Sequence, residues 1–385
     1  MVNLEKSITA LLSIILVFLI GLLIWLYQTN WRQPLGPPIY SSQGTPFGIP
    51  TTSIPDSQMV DSPPSTPGID VIPYALSVPA SLTKTPGICG GASPMYILLI
   101  GSDSRGENYL YGLADVIRLV RVDFVNAKVT VLEFPRDLWV EIPDIADNLD
   151  GQDHEKLNQA YLYGNPGFGY TNEPAGGPGL LARTLTLNFG TQIDHYAAVN
   201  MRTFEKIVNA VGGIDVTLQE TVDGRTEDDT NDRLLFPQGS HHLNGTQALT
   251  LARIRIKGTF SRASNQDRVL CALRDKLTSP NVIPNIPGLI ESFKGAVQTS
   301  LSPEELSQLA CLGTQIEAQN IILASFPQQF FQQDRIYDPV FKKRVFTWKV
   351  DYDVLRGYVK QFNNGNWPQP VIAGNSDEGA SNFCR

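Results

Sequence analysis

The chain has 385 residues, with 30 Lys and Arg against 38 Asp and Glu and a formal net charge of −8. That length holds one large domain or two smaller ones, and the acidic balance argues against a nucleic-acid partner. It does not exclude an anionic substrate, because local clusters of cations, rather than net charge, build a phosphate site.

In chain order, residues 1–7 form a short N-terminus, expected on the cytoplasmic side. Residues 8–27 are apolar apart from Thr and Ser, and about 20 such residues cross a bilayer as a helix. No A-x-A-like cleavage site follows, so an uncleaved anchor is expected in preference to a cleaved signal. Trp25, Tyr27 and Trp31 suit an interfacial aromatic belt. Lys6 and Arg32 nearly balance, so charge alone does not orient the helix. Residues 33–86 are rich in Pro, Ser, Thr and Gly and predict an extended spacer, with a reach on the order of 150 Å if fully extended.

The globular domain is expected over 87–373, followed by a polar tail at 374–385. Residues 96–100 read as a buried strand, and 116–124 and 128–134 as a hairpin about Asn126. A helix through Leu180, Leu181, Thr184 and Leu187 follows a Gly/Pro-rich stretch, and 194–199 reads as a strand. Phe204, Ile207, Val208 and Val211 give the helical i, i+3, i+4, i+7 pattern over 202–211. Residues 220–231 form an acidic loop without ligand spacing. Arg253 and Arg255 alternate with Ile254 and Ile256, which reads as a strand with both arginines on one face. Ser264-x-x-Asp267 resembles a capping box ahead of Val269, Leu270, Leu273 and Leu277, and Ser302-Pro303-Glu304-Glu305 is a stronger helix start. Residues 321–326 read as a late strand. Strands alternating with helices predict an α/β fold, a mixed central sheet between helical layers.

The cysteines are Cys89, Cys271, Cys311 and Cys384. No C-x-x-C pair occurs, which argues against zinc-ribbon or thioredoxin-like chemistry. Outside the cytoplasm an even count suits disulfides, and the expected pairing is Cys271–Cys311 and Cys89–Cys384; buried free thiols are the alternative.

The chemistry-bearing side chains gather at strand ends. Asp103 and Asp115 flank one loop, and such hard oxygens suit Mg²⁺ (or Mn²⁺) shared with substrate phosphates. Arg105 and Arg136 stand close by in sequence, and guanidinium groups grip phosphate bidentately. Two arginines on one face, Arg253 and Arg255, repel unless an anion bridges them; pairing with the acidic loop is the alternative.

These segments together carry a resemblance. Gly101-Ser-Asp-Ser-Arg105, Asp115 before a strand, and Phe134-Pro-Arg-Asp-Leu-Trp139 are followed by Lys156-Leu-Asn-Gln-Ala-Tyr161. Next come Ile193-Asp-His-Tyr196, Gly212-Gly-Ile-Asp-Val216, Leu243-Asn-Gly-Thr-Gln-Ala-Leu249 and Ala252-Arg-Ile-Arg255. In this order they resemble the extracellular catalytic domain of the LytR-CpsA-Psr family, over about 95–277. The resemblance implies a membrane-anchored, extracytoplasmic phosphotransferase. Its partners would be a polyprenyl-pyrophosphate-linked glycan and peptidoglycan or another envelope acceptor. It also implies pyrophosphate binding by Arg105, Arg136, Arg253, Arg255 and Arg262, and metal binding by Asp103 and Asp115. The catalytic set is expected to be Arg136, Arg253, Arg255, Arg262 and Asp267. Asp267 enters because Thr259 stands where the family carries an Asp proposed as general base. Ser261, Asn265 and Leu113 also depart from the pattern. These departures keep two other readings open: a non-catalytic binder of polyprenyl phosphates or glycans, and a lipid-pyrophosphate hydrolase.

Overall fold

The computed structural model describes residues 31–39, 85–105, 109–226, 232–255, 259–279, 295–368 and 380–383, with positions 21, 281–282, 288–289 and 293. The expected spanning helix at 8–27 (Gly21 apart), residues 40–84 of the spacer, residues 374–379 of the tail and Cys384 lie outside the described residues. Among those described, no helix is long and apolar enough to cross a membrane.

The strands that matter here are β1 (Met95–Ser102), β2 (Ala114–Asp123), β3 (Lys128–Glu133), β4 (Trp139–Glu141), β5 (His154–Lys156), β6 (His195–Asn200), β7 (Ile214–Leu218), β8 (Gly239–Leu243), β9 (Gln298–Thr299), β10 (Ile321–Ser325), β11 (Gln332–Asp338), β12 (Lys343–Lys349) and β13 (Ala380–Phe383). The helices are α1 (Leu157–Gly164), α2 (Gly176–Phe189), α3 (Met201–Ala210), α4 (Gly245–Arg253), α5 (Thr259–Leu277), α6 (Pro303–Gln315) and α7 (Tyr352–Asn363).

One seven-stranded sheet runs β9-β6-β1-β2-β3-β10-β13. It is mixed: β1 pairs in parallel with β6, and β10 with β3, while β1–β2 and β2–β3 are antiparallel. The strand period of two divides β1 between two cores. Tyr96, Leu98 and Ile100 face a cluster shared with α1, α2 and α7. Met95 and Ile97 face the opposite cluster, which includes Leu312 of α6. Helices therefore cover both faces, as the apolar patterning predicts. The turn joining β2 to β3 forms because Asp123 Oδ1 accepts the N–H groups of Val125 and Asn126, each at 3.0 Å. A third apolar cluster joins α3, α4 and α5 to the β7–β8 ladder.

Several expectations change. Arg253 ends α4 instead of lying in a strand. The box of Asn244 and Gln247 caps α4 reciprocally, and the helix it starts carries through Arg253. Helix α5 begins at Thr259, so Ser264 and Asp267 lie inside it and do not cap it. The disulfide is Cys89–Cys311, not Cys271–Cys311 or Cys89–Cys384. The turn carrying Cys89, Ile88–Gly90, lies against α6, with Gln308 Nε2 donating to Gly90 O at 3.3 Å. Cys271 is disulfide-bonded as well. Residues 33–39 of the expected spacer lie on the domain: Leu35 N–H donates to Leu301 O at 3.2 Å, and Arg32 pairs with Glu304 at 2.8 Å. Residues 380–383 of the expected tail add an edge strand to β10.

The β11–β12 hairpin brings Asp338 against Glu155 of β5, and neither residue reaches solvent. Gln159 Nε2 donates to Glu155 Oε2 at 2.7 Å, and Tyr163 O–H donates to Gln159 Oε1 at 2.8 Å. Asp338 accepts the Phe341 N–H at 3.0 Å. Burial, then the neighbouring Asp338 carboxyl, push Glu155 up to about 8. Folded at neutral pH, it keeps its proton.

Candidate functional site

The site begins where β1 and β2 end together. A register shift after Gly101 sets Ser102 opposite Ala114. Asp103 then exchanges backbone bonds with the other arm: its N–H donates to Leu113 O at 3.0 Å, and its Oδ1 accepts the Leu113 N–H at 2.6 Å. Gly112 makes this closure possible. Its φ is +155°, and an added Cβ would stand 2.6 Å from Ser102 Oγ.

Asp115, the second residue of β2, accepts a hydrogen bond from Arg136 Nη1. Arg136 is held from behind by Asp137, whose carboxylate takes Arg136 Nε at 3.3 Å and Lys156 Nζ at 3.1 Å. The Asn158 N–H also fixes the Arg136 carbonyl at 3.1 Å. Burial alone would lower the Arg136 pKa, but Asp115 and Asp137 outweigh it and raise it. Arg262 crosses from α5 and donates through Nη2 to Asp115 O at 3.2 Å. It is only 4% exposed. Burial, followed by the repulsion of Arg136 and Arg255, holds its pKa down to about 10. Burial and Arg136 lower Arg255 in the same way. Cations are thus crowded here beyond what the local carboxylates neutralise, which is the electrostatic signature of an anion site.

Some of these groups border a cavity of about 730 Å³ between the sheet and α3–α5, while Asp103 and Arg136 are not among its lining residues. Asp115, Arg253, Arg255 and Arg262 line it, and Leu99, Val116, Phe204, Val269 and Leu270 supply apolar wall. Ile254 is buried while both flanking arginines are exposed, so the alternation foreseen for a strand survives at a helix end. Among the described residues neither arginine is paired with a carboxylate; Glu227, Asp228 and Asp229 of the acidic loop lie outside them. Arg105 is exposed and does not line the cavity. Asp267 does not line it either: its carboxylate bonds Arg118 Nη1 at 2.5 Å. Thr259 opens α5, and its side chain lies outside what the structure describes.

Asp103 and Asp115 offer hard oxygen donors at neighbouring strand ends. Leu113 and Arg136 each bind only Oδ1 of their carboxylate. Among the described residues no group of three or more His, Cys, Asp or Glu could cage a metal. Two carboxylates by themselves would leave the other positions around an Mg²⁺ to phosphate oxygens and water, a ligand set that ion commonly takes.

Arg118 and Gln266 also line this cavity, and sequence reasoning did not single them out. The signal for Arg118 was an arginine inside the apolar run of β2, which also carries Arg121. A second, mostly apolar cavity of about 850 Å³ meets the first at Ala197. Leu273 and Leu277 of α5, Leu306 and Leu309 of α6, and Leu35 and Pro37 of the docked N-terminal segment line it.

A profile of the LytR_cpsA_psr family matches residues 82–345. The chain belongs to the LytR-CpsA-Psr family. It is 30% identical over 211 residues to the Bacillus subtilis (strain 168) polyisoprenyl-teichoic acid–peptidoglycan teichoic acid transferase TagV, covering 54% of this chain and 50% of that protein. It is 28% identical over 216 residues to the regulatory protein MsrR of Staphylococcus aureus (strain COL), covering 55% of this chain and 58% of that one. The match thus spans about half the length of these curated relatives. The crystal structure of B. subtilis TagV superposes with a TM-score of 0.54 at 24% identity, over 70% of this chain and 97% of that one, a likeness of fold. This LytR-CpsA-Psr domain thus carries the mixed sheet and covering helices expected from its sequence.

Proposed function

We propose that this LytR-CpsA-Psr protein is a membrane-anchored extracytoplasmic phosphotransferase. It would move a glycopolymer from a polyprenyl-pyrophosphate carrier to peptidoglycan or another envelope acceptor. The observation that carries the reading is the cavity itself: Arg253, Arg255 and Arg262 gather with Asp115 around a pocket whose remaining wall is largely apolar. A ligand with a diphosphate head and an isoprenoid tail matches both parts. The apolar cavities on either side of Ala197 supply room for the tail.

In the proposed reaction an acceptor hydroxyl attacks the glycan-bearing phosphorus. The bond from that phosphorus to the bridging oxygen breaks, and polyprenyl monophosphate leaves. Arg253, Arg255 and Arg262 hold the phosphate oxygens and stabilise the charge that grows on the leaving group. Arg136, braced by Asp137 and Lys156, keeps Asp115 oriented. Mg²⁺ on Asp103 and Asp115 would neutralise diphosphate charge. The proton leaves to a carboxylate of the site or to water. A second reading, a binding protein without turnover, draws on Asp267: the carboxylate expected to replace the missing base at position 259 is engaged with Arg118 instead.

The test is turnover of a radiolabelled polyprenyl-pyrophosphate glycan by the full chain, with peptidoglycan present. The expected product is label on peptidoglycan. Arg253→Ala and Arg255→Ala should each weaken substrate binding by about 1.5–3 kcal/mol, non-additively, since they share one anion. Label released as free glycan phosphate would identify a hydrolase, and bound lipid without turnover would identify a binding protein.

A further inference from the structure

Arg118 occupies a position built for an apolar side chain. Its neighbours on the same face of β2 are Val116, which borders the cavity, and Val120, which packs in the α6 cluster. Arg118 is 2% exposed and belongs to the largest fully buried side chains. A guanidinium in such a place needs its donors met. Asp267 meets Nη1 at 2.5 Å, and Glu133 approaches Nη2 only to 3.6 Å, beyond hydrogen-bond range. Nε and Nη2 have no hydrogen-bond partner among the described residues. Arg262, on the facing helix, likewise leaves its Nε unpartnered and buried. Both arginines are among the residues that line the same cavity, and the unmet nitrogens lie buried behind its wall.

Unmet donors on two buried cations that share one cavity wall form an incomplete anion cradle. We propose that Arg118 and Arg262 form an inner anion subsite of this cavity, which takes a phosphate oxygen of the ligand, and that Asp267 sets its strength by competing for the Arg118 guanidinium. The inference rests on the diphosphate reading of the site and adds a residue to it. Arg118 is then a binding residue and Asp267 a positioning one. The electrostatics agree: burial would strip Arg118 of its proton, but Asp267 and Glu133 outweigh it and raise its pKa, so the subsite keeps its charge.

The experiment is titration of the full chain, in detergent micelles with MgCl₂, with inorganic pyrophosphate followed by calorimetry. Removing the competitor in Asp267→Asn should tighten binding roughly 3–10-fold. The double variant Arg118→Met/Asp267→Asn removes the Arg118–Asp267 pair and leaves only the more distant Glu133 without its cation. It should bind at least about 10-fold more weakly than Asp267→Asn alone, the first figure being the scale of a typical net hydrogen bond and the second that of a bond to a charged group. A purely structural pair predicts that neither variant changes affinity, and that result would overturn the subsite. So would weaker binding by Asp267→Asn, or loss of its cooperative melting. Arg255→Ala separates the two levels of argument. Wild-type binding that is lost in Arg255→Ala but unchanged in the Arg118 variants removes the subsite alone. No wild-type binding, or binding indifferent to Arg255→Ala, removes the diphosphate reading and the subsite with it.

Discussion

Two of the places where this domain buries ionisable groups neutralise them in different ways. Beside the cavity, the buried Arg118 faces Asp267 and Glu133, so opposite charges meet and some donors stay unmet. At the β11–β12 hairpin, Glu155 faces Asp338, so like groups meet and a retained proton removes the repulsion. The first arrangement is open to a ligand and depends on both partners. The second is bonded through Gln159 and Tyr163, leaves Glu155 Oε1 and Asp338 Oδ2 without a partner among the described residues, and depends on pH. Unmet buried atoms occur in both places, so it is the cavity beside Arg118 that sets the first apart.

The comparison breaks most visibly through single substitutions that strand a partner. Arg118→Met should leave two largely shielded carboxylates, 15% and 14% exposed, without their cation and cost about 3 kcal/mol in stability. Adding Asp267→Asn should restore most of that loss in a denaturant titration. A single variant as stable as wild type would show that water already reaches the pair.

At the acid pair the lever is pH. The folded-state pKa of Glu155 is raised from 4.5 to about 8. Below 4.5 both states are protonated and the contribution is fully present. As pH rises from 4.5 to 8, the unfolded chain releases the proton and the folded one holds it, so stability falls. The loss is on the order of a few kcal/mol for a raised acid of this kind. Glu155→Gln should flatten that slope in thermal melts across this range; an equal slope in both proteins would assign the pH dependence to other groups.

A smaller effect concerns Asp103, which contributes a loop bond and, in the proposed function, a metal ligand. Asp103→Ala should cost about 1 kcal/mol in stability. It should also abolish the added thermal shift that Mg²⁺ produces with pyrophosphate bound. A full Mg²⁺-dependent shift in the variant would take Asp103 out of the metal site.

Local features were legible before the structure. The apolar runs of β1, β2 and β3 announced the centre of the sheet, and the α6 start was readable as Ser302, Pro303 and Glu305, all of which cap as expected. The arginines at 253, 255 and 262 were found because motif order carries information that single residues lack. What escaped was non-local. The strand assignment at Arg253 failed because a two-residue alternation weighed more than the Asn244–Gln247 cap nine residues upstream. The disulfide was misassigned because pairing follows the approach of α6 to the turn at Cys89, 222 residues earlier. Arg118 was passed over because its partners come from β3 and α5, far apart in sequence.

The docked segment at 31–39 decides where the chain bears load. Arg32 is fastened to Glu304 and Leu35 to Leu301, while Thr85 and Pro86 pair with Ser93 and Ala92 at the domain's other approach. The domain therefore holds the chain both before residue 40 and after residue 84. Tension between an anchor and the catalytic head would be borne at Glu304 and Leu301. Only five peptide units separate residues 27 and 32, a span of at most about 17 Å. With a bilayer holding 8–27, as proposed, the head would rest close over the lipid surface, with the α6 edge and the cavity lined by Leu35 and Pro37 nearest to it.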